Sequence, residues 1–283
     1  MAKCNLRFDF SNCFDFDIWR PESTLEKCKQ ALLSHSIVLV KGIPPSEESF
    51  FRIGAKLGHP MRKYSQSQSD SIDQYLGKVK NTLTASGDAP MPTQGHGPIN
   101  MHTARSYSSI RPDYFALLAK NEGFPLVSAQ TSFVALADAI EEFKRREGET
   151  WPSSLDLLSS VKVLYGPKHV KEGVCDVPIL ERMEDGTYVF RYWEEIMSGL
   201  ESTVISASDR PHFVAILERF NRIVNSPDLA LQHLLKNGEM ILIDNRRVAH
   251  GRTGFTPYLS SDLGEKIFNP RELISMHLQS ASP

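Results

Sequence analysis

Apolar positions recur along this chain with two periods, and the switches between them mark out its elements. A helical period starts after Pro21-Glu22-Ser23-Thr24, with Leu25, Cys28, Leu32 and Leu33 on one face. It returns after Ser46, where Phe50, Phe51, Ile53 and Leu57 form a stripe closed by Gly58. The same period predicts helices over 135–146 (Leu136, Ala137, Ile140, Phe143), over 152–161, and most strongly over 211–224, with Phe213, Ile216, Leu217, Phe220, Ile223 and Val224. A further helix is predicted from Asp228 to Lys236, ending at Asn237-Gly238.

Between these stretches lie short apolar or alternating runs, which predict strands. They cover 36–42, ending in Gly-Ile-Pro-Pro; 114–119 and 126–134, read as neighbouring core strands; and Tyr188–Tyr192 within a strand-and-turn stretch over 162–192. Met240–Ile243 and Val248–His250 are separated by an Asp244-Asn245 turn, and the alternating run from Arg271 to Leu278 forms a last strand. The interleaving predicts a mixed α/β (α+β) fold, and with no internal repeat and no clean boundary, 1–283 is read as one domain. Residues 60–101, rich in Ser, Gln, Gly and Pro, are read as a mobile loop or lid, because so long a connection inside a compact domain usually has a function.

Composition narrows the class only modestly. With 41% apolar and 23% charged residues the chain can bury a sizeable core, and a net charge of −2 gives no reason to expect nucleic acid or an anionic membrane as partner. No apolar run is long enough to span a bilayer, and the N-terminus lacks the pattern of a secretory signal. The four cysteines show no metal or disulfide spacing, so reduced thiols in a cytoplasmic protein are expected.

The chemistry concentrates at two histidines, each at the end of a strand-like run: His102 in His102-Thr103-Ala104, and His250 in Asp244-Asn245-Arg246-Arg247-Val248-Ala249-His250-Gly251-Arg252-Thr253. Two imidazoles from separate strands, with a carboxylate two residues after the first, form the facial triad of non-haem Fe(II) oxygenases. Here Ala104 stands at the carboxylate position, and a methyl group cannot coordinate metal.

The Asp244–Thr253 segment closely resembles the corresponding segment of the taurine-dioxygenase and clavaminate-synthase-like superfamily. His102-Thr103-Ala104 followed by Pro112-Asp113-Tyr114-Phe115-Ala116-Leu117 is similar to the first motif of those enzymes, apart from the carboxylate. The resemblance implies a double-stranded β-helix, or jelly roll, flanked by helices, which uses Fe(II), 2-oxoglutarate and O2. It implies that His102 and His250 hold the metal. Thr131 and Arg271 would bind the cosubstrate, with Lys266 as the competitor of Arg271; Arg252 is a further candidate for a carboxylate. Asp244 and Asn245 would orient the strand of His250 by hydrogen bonds. Arg105, Tyr107, Arg191 and Trp193, with Tyr192 beside them, are candidates to line the pocket of a small polar, amino-acid-like substrate, and a carrier-protein-tethered substrate or a nucleotide is also open. His96 has a possible substrate role, whereas His35, His59, His169, His212, His233 and His277 are read as ordinary core or surface residues.

Ala104 leaves such a site one negative charge and one ligand short. A chloride or bromide ion would restore both, and the superfamily's iron halogenases carry Ala or Gly at this position. Ala104 is therefore read as a halide site, and halogenation of an unactivated C–H bond as the leading function. The alternatives are a hydroxylase or other C–H oxidase working with two histidines, an engineered Asp-to-Ala form, and a non-catalytic binding protein.

Overall fold

The computed structural model describes residues 6–9, 11–62, 71–80, 97–106, 108–124, 129–165, 175–193, 205–206, 208–256, 258–260 and 266–280. Its first half contains β1 (Cys13–Asp15), α1 (Pro21–His35), β2 (Ile37–Lys41), α2 (Glu47–Leu57), β3 (His59–Pro60), β4 (Leu76–Lys80), β5 (Ile99–His102), β6 (Tyr114–Asn121), β7 (Thr131–Ala135) and α3 (Leu136–Glu147). Next come α4 (Trp151–Ser160), the hairpin of β8 (Lys162–Tyr165) with β9 (Cys175–Pro178), and the hairpin of β10 (Leu180–Arg182) with β11 (Tyr188–Phe190). The last part holds α5 (Arg210–Val224), β12 (Leu231–His233), β13 (Met240–Asp244), β14 (Val248–Arg252), the hairpin of β15 (Tyr258–Ser260) with β16 (Lys266–Phe268), and β17 (Glu272–Gln279).

Two sheets carry the site. The larger runs β1-β2-β13-β6-β17, with β3 and β4 both pairing β17; the smaller runs β12-β7-β14-β5. The period-2 alternation explains how they stack. On β6, Ala116 and Leu118 join Leu25, Cys28, Phe50 and Ile53 of α1 and α2, whereas Phe115, Leu117 and Ala119 point the other way, into a cluster with Phe133 and Val248 of the smaller sheet. Val134 and Ala249 of the smaller sheet face outward onto Ile140, Phe143, Leu158, Phe213 and Phe220 of α3, α4 and α5. The layers are therefore helices, sheet, sheet, helices, which is the double-stranded β-helix with helical flanks. Ala104 lies in the central cluster, between the sheets.

Local chemistry sets the ends of the helices. Ser46 caps α2 by accepting from the Ser49 N–H, and Glu47 and Glu48 favour its first turn. Pro21 opens α1 from the N-terminal side, where its missing N–H is not needed. Leu33, placed by periodicity on the inner face of α1, is instead 68% exposed.

Three expectations are corrected. The stretch 60–101 is not loop throughout: 71–80 holds a 3-10 turn (Ile72–Gln74) and β4, which pairs with β17 from Leu76↔Met276 to Lys80↔Glu272. Pro60 ends β3 and Ile99–Met101 belong to β5, while 63–70 and 81–96 lie outside the described residues. The runs at 114–119 and 126–134 are not neighbours, since β6 and β7 belong to different sheets. Asp228–Lys236 is not a helix but a 3-10 turn (Pro227–Leu229) followed by β12, which pairs with β7. Among the described residues, no helix is long and apolar enough to cross a membrane.

Candidate metal centre

Antiparallel pairing of β14 with β5 places His250 directly opposite His102, and the ladder shifts register between His250 and Arg252. The two ring centroids are 4.3 Å apart at an interplanar angle of 49°. His102 Nδ1 lies 3.0 Å from the Asn100 carbonyl; when it donates there, Nε2 keeps its lone pair for a metal. His250 Nδ1 is buried with no hydrogen-bond partner among the described residues, and its ring stacks on Phe115 at 4.3 Å and 14°. Burial lowers the pKa of both rings, and for His250 the neighbouring His102 and His277 add to the effect, so both are held in the neutral form a metal requires. Two neutral imidazoles, His250 buried with an orphaned nitrogen and His102 partly buried, are a donor set that fits a divalent transition metal.

Backbone groups of Thr103 and Ala104 are held by partners distant in the chain. Thr103 N–H donates to the Tyr192 carbonyl at 2.8 Å, and Tyr192 N–H donates back to Thr103 Oγ1 at 3.0 Å. Ala104 N–H donates to Asn245 Oδ1 at 2.7 Å, while Asn245 Nδ2 donates to the Ala104 and Pro112 carbonyls, each at 3.0 Å. Asn245 is completely buried. It was expected to orient the His250 strand by hydrogen bonds; its side chain ties the turn before that strand to the segment that carries position 104. Arg105 follows with φ 51, a left-handed conformation uncommon for a residue with a side chain, and accepts from Ser108 N–H at its carbonyl. No group of three or more His, Cys, Asp or Glu able to hold a metal occurs among the described residues, so no other acid among them replaces the missing one.

The turn from β13 to β14 is bonded on several sides. Asn245 N–H donates to the Asp113 carbonyl, Phe190 N–H to that of Arg246, and Leu136 N–H to that of Arg247. Arg246 also forms an ion pair with Asp113. Asp244 accepts from Arg246 N–H at 2.9 Å within the turn, and burial raises its pKa, so it stabilises the turn rather than reaching the histidines.

One strand-step from His250, Arg252 pairs in register with Thr131 of β7, and both are buried. Arg271, 4% exposed, comes from the start of the other sheet's β17. Both guanidiniums approach the Phe255 ring, at 5.1 Å for Arg252 and 5.7 Å for Arg271. Arg252 also donates to the Gly97 carbonyl at 2.7 Å. Burial brings each arginine's pKa down to about 10, and for Arg271 the charge of Arg252 contributes as well. Arg271 forms no ion pair with a carboxylate among the described residues, so two buried cations and a hydroxyl-bearing residue converge where an anion would relieve the charge. The side chain of Lys266, its competitor, lies outside the described residues.

The expected substrate residues fare unevenly. Arg191 donates to the Ser106 and Ser108 carbonyls at 3.4 and 2.6 Å, and so supports the turn after Ala104. Arg105 reaches the Arg62 carbonyl, and Trp193 is half-buried beside Tyr192. Tyr107 and His96 lie outside the described residues. Three contacts were not anticipated: the clamp by Asn245; Thr253, whose hydroxyl accepts from Gln130 N–H at 2.9 Å at the entry to β7; and the ring contact of His277 with Phe115 opposite it, at 5.7 Å. The sequence signal for the first two was their place in the Asp244–Thr253 motif; His277 had none.

Residues 6–263 match the family model described as "Taurine catabolism dioxygenase TauD, TfdA family". An L-lysine 3-hydroxylase from Catenulispora acidiphila is 28% identical over 167 residues, 56% of this chain but only 41% of that relative. Among solved structures, the non-heme iron oxygenase OrfP in complex with Fe and alpha-ketoglutaric acid superposes with a TM-score of 0.64 at 17% identity, covering 92% of this chain and 80% of its own. Asparagine oxygenase does so with a TM-score of 0.64 at 17% identity, covering 91% and 79%. At such identities these structures establish the shared fold.

Proposed function

Because this chain belongs to the TauD/TfdA dioxygenase family, we propose that it oxidises an unactivated C–H bond of a small, amino-acid-like molecule, with hydroxylation as the outcome. Iron, when bound, would supply the oxidising chemistry by consuming O2 and 2-oxoglutarate, with one oxygen atom going to the product and one to succinate as CO2 leaves. The observation that carries the reading is the register of β14: His250 faces His102, and one step on Arg252 faces Thr131. His102 and His250 would hold the metal with neutral rings. Arg271, with Arg252 and the Thr131 hydroxyl, would bind the cosubstrate's carboxylate by charge-assisted hydrogen bonds in a dry pocket. Arg105, Tyr107 and Trp193 are the candidates to meet the substrate, with Arg191 holding the turn in place. The relatives named as a lysine hydroxylase and an asparagine oxygenase support a free amino acid as its class.

A second reading, halogenation, is favoured by Ala104: the position lies in the apolar core and no described acid replaces the lost one. A chloride or bromide would then fill it. Aerobic incubation with Fe(II), 2-oxoglutarate, chloride and a panel of amino acids, followed by mass spectrometry, separates the two. A gain of oxygen supports hydroxylation, and a gain of chlorine supports halogenation. Absence of succinate across the panel would refute both.

A further inference from the structure

We infer that Asn245 is a positioning residue that aims position 104 at the metal; the inference rests on the reading of His102 and His250 as metal ligands. Residue 104 lies beyond the end of β5, where the ladder no longer supplies partners for its backbone. A buried peptide group without partners is strongly unfavourable, so something must replace the missing strand. Asn245 does this with one amide: its oxygen takes the Ala104 N–H, and its nitrogen serves the Ala104 and Pro112 carbonyls. An amide suits the task because it offers acceptor and donors together in one plane, whereas a carboxylate has no donor for the two carbonyls.

The direction of a side chain at 104 follows from the orientation of its peptide planes, and both planes are bonded. The plane before it carries the Ala104 N–H, bonded to Asn245 Oδ1, and the plane after it carries the Ala104 carbonyl, bonded to Asn245 Nδ2; one plane earlier, Thr103 N–H is bonded to the Tyr192 carbonyl. The left-handed Arg105 then turns the chain away, with its own carbonyl bonded to Ser108 N–H. Asn245 sits in the turn that leads into β14 and His250, so one short segment fixes both a histidine and the residue opposite the gap. The clamp works on the backbone and is therefore retained when the side chain at 104 changes. This predicts that the position is already oriented for a ligand, although alanine supplies none.

The test is a double-mutant cycle read by Co(II) titration, using the visible absorption of the bound ion, on wild type, Ala104→Asp, Asn245→Ala and the double variant. In the Asn245 background, Ala104→Asp should tighten Co(II) binding on the order of tenfold or more, in line with the effect of groups that orient ligands. With Asn245→Ala, that gain should largely vanish. A merely structural role would weaken all proteins alike and leave the gain intact, and that result would overturn the inference. If Ala104→Asp gives no gain even with Asn245 present, while His250→Ala still weakens Co(II) binding, position 104 is not aimed at the metal and the inference fails alone. If neither His102→Ala nor His250→Ala affects Co(II) binding, the ligand reading itself fails. Should Asn245→Ala not fold, Asn245→Asp retains an acceptor for the Ala104 N–H but loses both donors, and must still reduce the gain.

Discussion

Replacing Arg271 by methionine distinguishes an arginine kept for packing from one kept charged for a ligand. Its guanidinium is buried, and its pKa falls well below the usual arginine range to about 10, through burial first and the charge of Arg252 second. That drop corresponds to ~3 kcal/mol against the charged form. Because the folded pKa lies below the unfolded one, the full penalty is present at neutral pH and is relieved only as pH rises through about 10. Methionine removes the charge and keeps most of the volume, an exchange that is often neutral or stabilising for buried charges. At about 2 °C per kcal/mol for a chain of this size, the metal-loaded protein without cosubstrate should melt unchanged to ~5 °C higher. The response to 2-oxoglutarate should move the opposite way. A hundredfold excess over Kd stabilises wild type by about 2.7 kcal/mol, while loss of one partner of a buried charge pair weakens binding by ~2–5 kcal/mol and should abolish the shift. Thermal denaturation with a redox-inert metal, with and without 2-oxoglutarate, measures both. A variant that melts well below wild type yet keeps its full 2-oxoglutarate shift would refute the reasoning.

Three further outcomes follow from the geometry. Gly251→Ala would place a Cβ 2.6 Å from the Ile99 carbonyl oxygen and push β14 off β5, so metal affinity should fall and the melting temperature drop, as Co(II) titration and calorimetry would record. Glu142, bonded to Arg145 and Arg146, has its pKa lowered to about 2, so its stabilisation is present above the unfolded value of 4.5 and is lost as pH falls through about 2. Glu142→Gln should therefore be less stable than wild type in urea at pH 7, with the gap closing towards pH 2. Tyr192→Phe removes the hydroxyl that bonds Asn221 and Asn225, the latter also holding Met101 N–H, and should cost about 1 kcal/mol in denaturant unfolding.

The parts of this fold legible in the sequence were those written in local pattern. Ser46 with its stripe of Phe50 and Ile53, and the amphipathic run at 211–224, show within a few residues which helices they form. What escaped depends on partners distant in the chain. β4 is a strand because β17 pairs with it, although its neighbourhood is polar and glycine-rich. Leu231, Leu234 and Leu235 have a helix-like spacing, yet β7 draws Leu231–His233 into a sheet. The residues at 114–119 and 126–134 are both apolar, and nothing local indicates that they lie in opposite sheets. Asn245 was read as a hydrogen-bonding residue, but its partners could not be named, because Ala104 and Pro112 lie far upstream.

The facing of His102 and His250 across one ladder has a consequence outside chemistry. A single ion bound by both would cross-link points roughly 150 residues apart, and closing so long a segment restricts the unfolded chain by an amount on the order of 5 kcal/mol, by analogy with covalent cross-links. Iron would then fasten the two strands in addition to any part in turnover. If both rings share an ion, removing it would lower stability and abundance as well as activity.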